Sequence, residues 1–198
     1  MTTNLSQFLK GYVDYKNLDS FLEKEKGAGG LKESVFLVLI GQCISFLTIS
    51  LAFAIGYTII PGWAALRPDQ AIISFFVMTV IVNAIIFYLT AALVFAGSKL
   101  LGGKGAFGTQ AYLMGIVTFA AAVVSSPFIV LFVLLSQSAL ALLPQFAVLV
   151  LGVYQLYVFY KLVRATHGIP MLQALGVMLA ALMALGLVFT FGFGQPPA

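Results

Sequence analysis

The residues best equipped for chemistry stand together in one stretch, Tyr154-Gln155-Leu156-Tyr157-Val158-Phe159-Tyr160-Lys161-Leu162-Val163-Arg164-Ala165-Thr166-His167-Gly168. Tyr154, Tyr157, Lys161 and Arg164 recur at spacings of three and four and so share one face of a helix. Two cations beside a ladder of phenols suit a phosphate-bearing headgroup or an acidic protein surface. They equally suit anchoring, because tyrosines favour the membrane–water boundary and basic side chains suit a helix C-terminus and snorkel to headgroups. Both readings stay open. With Lys99 and Lys104 of a neighbouring segment, Tyr157, Tyr160, Lys161, Arg164 and His167 are the candidate contacts for a partner or a lipid.

Covalent chemistry is not expected. His167 is the only histidine and Cys43 the only cysteine, so a protein-only zinc site and a disulfide framework have no ligands to draw on. A nucleophilic serine needs a base beside it, and Ser125 and Ser126 lie in an apolar run far from His167; they read as packing or backbone-bonding residues. The stretch from Gly97 to Gly105 superficially suggests a phosphate loop. It places Gly102-Gly103 where the Walker spacing needs Gly-Lys and has no preceding strand, so it reads as a tight turn in which glycine supplies positive φ. No catalytic residue, metal or cofactor is expected, and the basic balance needs no nucleic-acid partner.

The elements that carry these residues are membrane spans. From Gly105 to Tyr160 the chain runs 56 residues without an Asp, Glu, Lys, Arg or His, and it does so again from Gly168 onward. Ionisable groups are rare in hydrocarbon because burying one costs several kcal/mol. The chain is 62% hydrophobic and 8% charged, where a soluble domain carries about 25% charged residues. The fold class expected is therefore all-α: a polytopic integral membrane protein with a bundle of five spans at about 34–60, 71–97, 107–135, 145–163 and 170–193. Pro61-Gly62 stops the first span, and Pro170 opens the last. Pro127 is expected to kink a long third span, Ser125 and Ser126 helping to satisfy the freed backbone groups. A six-span reading would split that helix at Pro127.

Charge decides between them. With five spans and a cytoplasmic N-terminus, the inner segments hold nine of the ten Lys and Arg residues, and only Arg67 is outside. That follows the positive-inside rule and places the C-terminus outside. Small residues at four-residue spacing, Gly176, Ala180 and Ala184, let the last span approach a neighbour closely, as do Thr118, Ala122 and Ser126 in the third. Intramolecular packing is the first use expected of them, a homo-oligomer face the second. Residues 1–33 form a cytoplasmic segment with short amphipathic helices. Either they lie on the inner membrane face or they pack on the bundle as a partly ordered tail. Five Lys against five acidic residues give that segment little net attraction to anionic lipid. The segment is too long and too mixed in charge for a secretory signal, so the first span reads as a retained anchor.

From Gly102 onward, Gly-Gly-Lys-Gly, a third span interrupted by Pro127, and the Tyr154–Ile169 stretch before a Leu/Ala-rich last span resemble the Yip1-domain family. So do Leu18-Asp19-Ser20-Phe21-Leu22 and the run from Gly29 to Ser34, and the likeness extends over about residues 15–193. The compact chain is similar to prokaryotic-type members and lacks the Asp-Leu-Tyr-Gly-Pro motif of the eukaryotic ones. The resemblance implies a five-span protein with a cytoplasmic N-terminus. Its eukaryotic members bind Rab-type GTPases in vesicle traffic and membrane shaping, so a GTPase-type partner is implied by the resemblance alone. The function expected is a non-enzymatic multi-pass scaffold or adaptor of a prokaryotic cell membrane, acting in membrane organisation or trafficking through lipids and cytoplasmic protein contacts. The alternative is a small transporter or channel subunit for an uncharged solute or ion.

Overall fold

The computed structural model describes residues 5–14, 16–59, 76–136, 138, 140 and 142–193. They form α1 (Leu5–Val13), α2 (Leu18–Glu25), α3 (Leu31–Ile59), α4 (Asn83–Leu100), α5 (Phe107–Leu135), α6 (Leu142–His167) and α7 (Met171–Phe193), with a π-helical segment Val77–Val82 leading into α4. No strand occurs among the described residues. Four of the helices are long and apolar enough to cross a bilayer, at Leu31–Gly56, Thr79–Leu100, Phe107–Leu135 and Leu142–His167, and α7 is a further apolar helix. Their outward faces carry large apolar side chains such as Leu47, Leu51, Ile85, Phe146, Leu149 and Met183. Water would penalise so broad an exposed apolar surface, and hydrocarbon does not. The chain is an integral multi-pass membrane protein.

The bundle centres on α3 and α5, which run parallel. Ser34 Oγ donates to the Ala111 carbonyl at 2.9 Å near their beginnings, and Thr48 Oγ1 pairs with Ser126 Oγ at 2.7 Å two-thirds of the way along. The offset stays near 77 residues between these two contacts, so the axes track each other. Close approach needs small residues at the seam. A Cβ at Gly41 would lie 3.2 Å from the Phe119 Cα, and Ala122 is buried in the same interface. Around this pair Leu37, Val38, Phe87, Leu113, Ile116, Phe119, Val158 and Leu162 form the main core.

The third span lies where the sequence places it, 107–135, as one helix through Pro127. Ser125 and Ser126 both donate to the Ala122 carbonyl, the Ser126 bond being 2.7 Å. Proline at 127 frees the carbonyl of residue 123, so the serines bond its neighbour and not, as expected, the freed group. Other boundaries shift for identifiable reasons. α3 begins at Leu31 rather than 34 because Glu33 Oε2 accepts the Gly30 N–H at 2.9 Å, half of a capping box that starts the helix early. α6 begins at Leu142, with Pro144 in its first turn where no intrahelical N–H is needed, and continues to His167. Gly168, at φ +67°, ends it in the left-handed conformation, its N–H bonded to the Arg164 carbonyl at 2.8 Å. The expected stop at Ile60 to Gly62, the start of the second span at Ala71, and Arg67 and Asp69 lie outside the described residues.

The expected packing stripe of the last span is corrected. Gly176 and Ala180 are exposed and a Cβ at Gly176 would meet open space. The buried face is instead Ala174, Val177, Met178, Ala181 and Leu185, about a hundred degrees of helix rotation away. Val177 and Met178 supply the larger apolar area, and burying it outweighs the closer approach that glycine allows. Gly176, Ala180 and Ala184 line an outward groove of about 400 Å³ against Leu93 and Gly97 of α4.

The N-terminal helices pack on the bundle. Tyr12, Leu18 and Leu22 are buried in the main core, and the Tyr12 ring meets Tyr154 edge-on at 5.4 Å between centroids. Tyr154 Oη donates to the Tyr12 carbonyl. Burial, and then the neighbouring Tyr154, push the Tyr12 hydroxyl up to about 12, so it stays neutral. Tyr154 is 13 residues before His167, so α1 meets α6 roughly 20 Å along the helix from its end.

Candidate functional site

Because α3 and α5 are parallel, their beginnings share one end of the bundle with the ends of α4 and α6. Loop 101–106 and α2 complete that end, so Lys26, Lys99, Lys104, Lys161 and Arg164 gather there. The loop is built by its glycines. Gly102, at φ +83°, lets Gly103 N–H bond the Ser98 carbonyl at 2.8 Å and Gly102 N–H bond Lys99 at 3.0 Å, closing α4 in a Schellman turn. Lys104 N–H then reaches the His167 carbonyl at 3.1 Å, joining the loop to the end of α6.

α2 is fastened across this end by polar groups that the rest of the bundle leaves unmatched. Lys161 Nζ donates to Asp19 Oδ2 at 2.7 Å, and Lys26 Nζ donates to the Ala165 carbonyl at 2.6 Å, one of the acceptors orphaned at the end of a helix. Glu25, 2% exposed, accepts the Tyr112 hydroxyl at 3.1 Å. Between α2 and α6 remains a cleft of about 280 Å³. Asp19 and Glu23 stand on its α2 wall, Lys161 and Arg164 on its α6 wall, and Gly168 and Ile169 close it beside the start of α7.

The expected contact residues divide into three groups. Lys99, Lys104 and Arg164 are exposed; Lys99 lies 5.5 Å over the Phe95 ring. Arg164 sits 5.8 Å over the Tyr160 ring and donates to its hydroxyl at 2.9 Å. Lys161 is engaged by Asp19 and lies 5.7 Å over Tyr157, itself partly exposed. Tyr160 and His167, expected at the surface, are buried and cannot meet a partner directly. Tyr160 supports Arg164 from beneath. His167 is turned inward because α6 runs four residues further than its apolar pattern implies, which rotates the ring under loop 101–106.

There His167 Nε2 stands 2.6 Å from Gln110 Oε1, and Gln110 Nε2 donates to the Ala91 carbonyl at 2.8 Å. The second bond fixes the amide, so the ring nitrogen facing Oε1 must be the one carrying hydrogen. Gln110 is fully buried, and with His167 it links α4, α5 and α6. His167 Nδ1 faces the loop, where a Cβ at Gly105 would lie 2.9 Å from it and 2.5 Å from the Thr166 carbonyl. Gln110 went unnoticed in the sequence because it carries no charge; its one signal is a lone amide in the first turn of an otherwise apolar span. Among the described residues no three His, Cys, Asp or Glu side chains group as metal ligands would. This end presents exposed cations, Lys99 and Arg164 over aromatic rings, beside a docked α2.

Comparison with curated proteins and with solved structures finds no match. A family model, the Yip1 domain, matches residues 20–193, from within α2 to the end of α7. The match spans every membrane-crossing helix and most of α2, so the chain belongs to the Yip1 domain family.

Proposed function

We propose that this protein is a non-enzymatic membrane scaffold or adaptor whose cation-rich end faces the cytoplasm and contacts lipid phosphates or a protein partner in membrane organisation or trafficking. What carries the reading is the grouping of exposed Lys99, Lys104 and Arg164 at the end to which α2 is fastened. Scattered anchoring cations would not require a docked helix beside them. The family supports the membrane context, and a GTPase-type partner rests on analogy within the family.

The test replaces Lys99, Lys104 and Arg164 together by Gln. All three lie at the edge of the bundle, so helical content and melting in detergent are expected to hold. Crosslinked partner recovery and binding to phospholipid vesicles are both measured against the parent. Loss of one or the other supports the reading; a folded triple variant that keeps both at parental level makes this end an anchor only.

A further inference from the structure

We propose that the cleft between α2 and α6 binds the headgroup of a zwitterionic phospholipid bearing a primary ammonium, of the phosphatidylethanolamine class. This rests on the reading of the cation-rich end as a contact surface and names the ligand of one part of it. A site for an anionic headgroup would be lined by cations alone. This cleft instead sets two carboxylates, Asp19 and Glu23, opposite two cations, Lys161 and Arg164.

The four groups are not equally engaged. Asp19 and Lys161 hold each other at 2.7 Å. Glu23 has only an open contact to Lys26 at 3.8 Å, with 60% of its side chain exposed, and such surface pairs hold weakly. Arg164 gives one N–H to Tyr160 and keeps the others for a ligand. The cleft therefore presents one available guanidinium and one available carboxylate on facing helices. Arginine is suited to bidentate phosphate contact. A carboxylate suits an ammonium with three N–H donors, whereas trimethylammonium has none and is recognised by aromatic faces, which do not line this cleft. A net-anionic headgroup would meet the Glu23 carboxylate opposite Arg164, a repulsive element that favours the zwitterion.

The size of the cleft agrees. Its volume of about 280 Å³ falls just under the roughly 300–1,000 Å³ of pockets that enclose whole small ligands. That suits a headgroup whose acyl chains remain in the bilayer.

The experiment uses the full chain in phosphatidylcholine nanodiscs, titrated with labelled phosphatidylethanolamine, phosphatidylglycerol or phosphatidylcholine. The ethanolamine lipid is expected to bind about tenfold more tightly than either other. Glu23→Gln should equalise the ethanolamine and glycerol lipids, while Arg164→Gln should weaken both. Circular dichroism checks folding; if Glu23→Gln does not fold, Glu23→Ser at the same exposed site replaces it. A parent protein that prefers the glycerol lipid, with that preference lost in Arg164→Gln, overturns the headgroup assignment but leaves the contact surface standing. Equal binding of all three lipids by folded parent and variants overturns the assignment; joined to an unaffected Lys99, Lys104, Arg164 triple variant, it overturns the surface reading too.

Discussion

Gln110→Leu isolates a buried polar link between three spans, α4, α5 and α6. The substitution keeps the approximate volume and removes two bonds, to His167 at 2.6 Å and to the Ala91 carbonyl at 2.8 Å. The Ala91 carbonyl lies inside α4 and keeps its helical donor four residues on, so little is lost there. The His167 N–H, on a ring 2% exposed, keeps no acceptor. An orphaned buried donor costs about 1–3 kcal/mol in water-soluble proteins, and interhelical polar pairs in membranes average about 0.6 and reach about 1.7. A loss of about 1–2 kcal/mol is expected. His167→Phe orphans Gln110 Oε1 and should cost a similar amount. The double variant removes both ends and should be more stable than the sum of the singles predicts by about 1 kcal/mol. Reversible unfolding in mixed micelles, titrated with dodecyl sulfate, measures all four corners of the cycle. Additivity within about 0.3–0.5 kcal/mol would refute the pairing, because uncoupled sites add to that precision.

Three further outcomes follow from the packing and the charge pattern. Gly41→Val places a branched side chain against the Phe119 backbone, 3.2 Å away already at Cβ, and should destabilise by about 1–3 kcal/mol in the same unfolding assay. Gly176→Leu meets open space and should change stability by less than about 0.5 kcal/mol; a large loss confined to an oligomer on size-exclusion would instead identify that groove as a contact between copies. Reporter fusions at residue 198 should be external and fusions between Lys99 and Lys104 internal, and a cytoplasmic C-terminus would refute five spans.

The sequence made the spans legible because lipid imposes a single rule over twenty residues at a time, and α5 follows it from its first residue to its last. Which face of a span is buried was not legible. Helices apolar on all sides have no amphipathic stripe to read, and Gly176, Ala180 and Ala184 looked like a seam while Ala174, Val177 and Ala181 form it. The end of α6 is hidden in the sequence for a related reason. Lys161 and Arg164 signal the membrane boundary, but a helix stops at its cap, and Gly168 lies four residues beyond Arg164. Those four residues carry His167 from an expected surface position into contact with Gln110.

The N-terminal segment shows how a balanced charge count misleads. Five lysines and five acids predict little field toward the membrane surface, yet the two signs are not used alike. Asp19 is tied to Lys161, Glu25 is buried against Tyr112, and Glu33 holds the Gly30 N–H at the start of α3. Docking on the bundle therefore engages two of the five carboxylates, Asp19 and Glu25, and Glu33 serves its own helix start, while Lys10, Lys24 and Lys32 remain exposed together with Asp14 and Glu23. Each engaged acid answers a donor that burial or a helix end would otherwise leave unmatched, so these carboxylates act as fasteners rather than as a surface field. The fold thus uses part of a neutral segment to hold α2 beside Lys99, Lys104 and Arg164. Composition cannot show that use, because it depends on which partner each carboxylate meets once the bundle has formed.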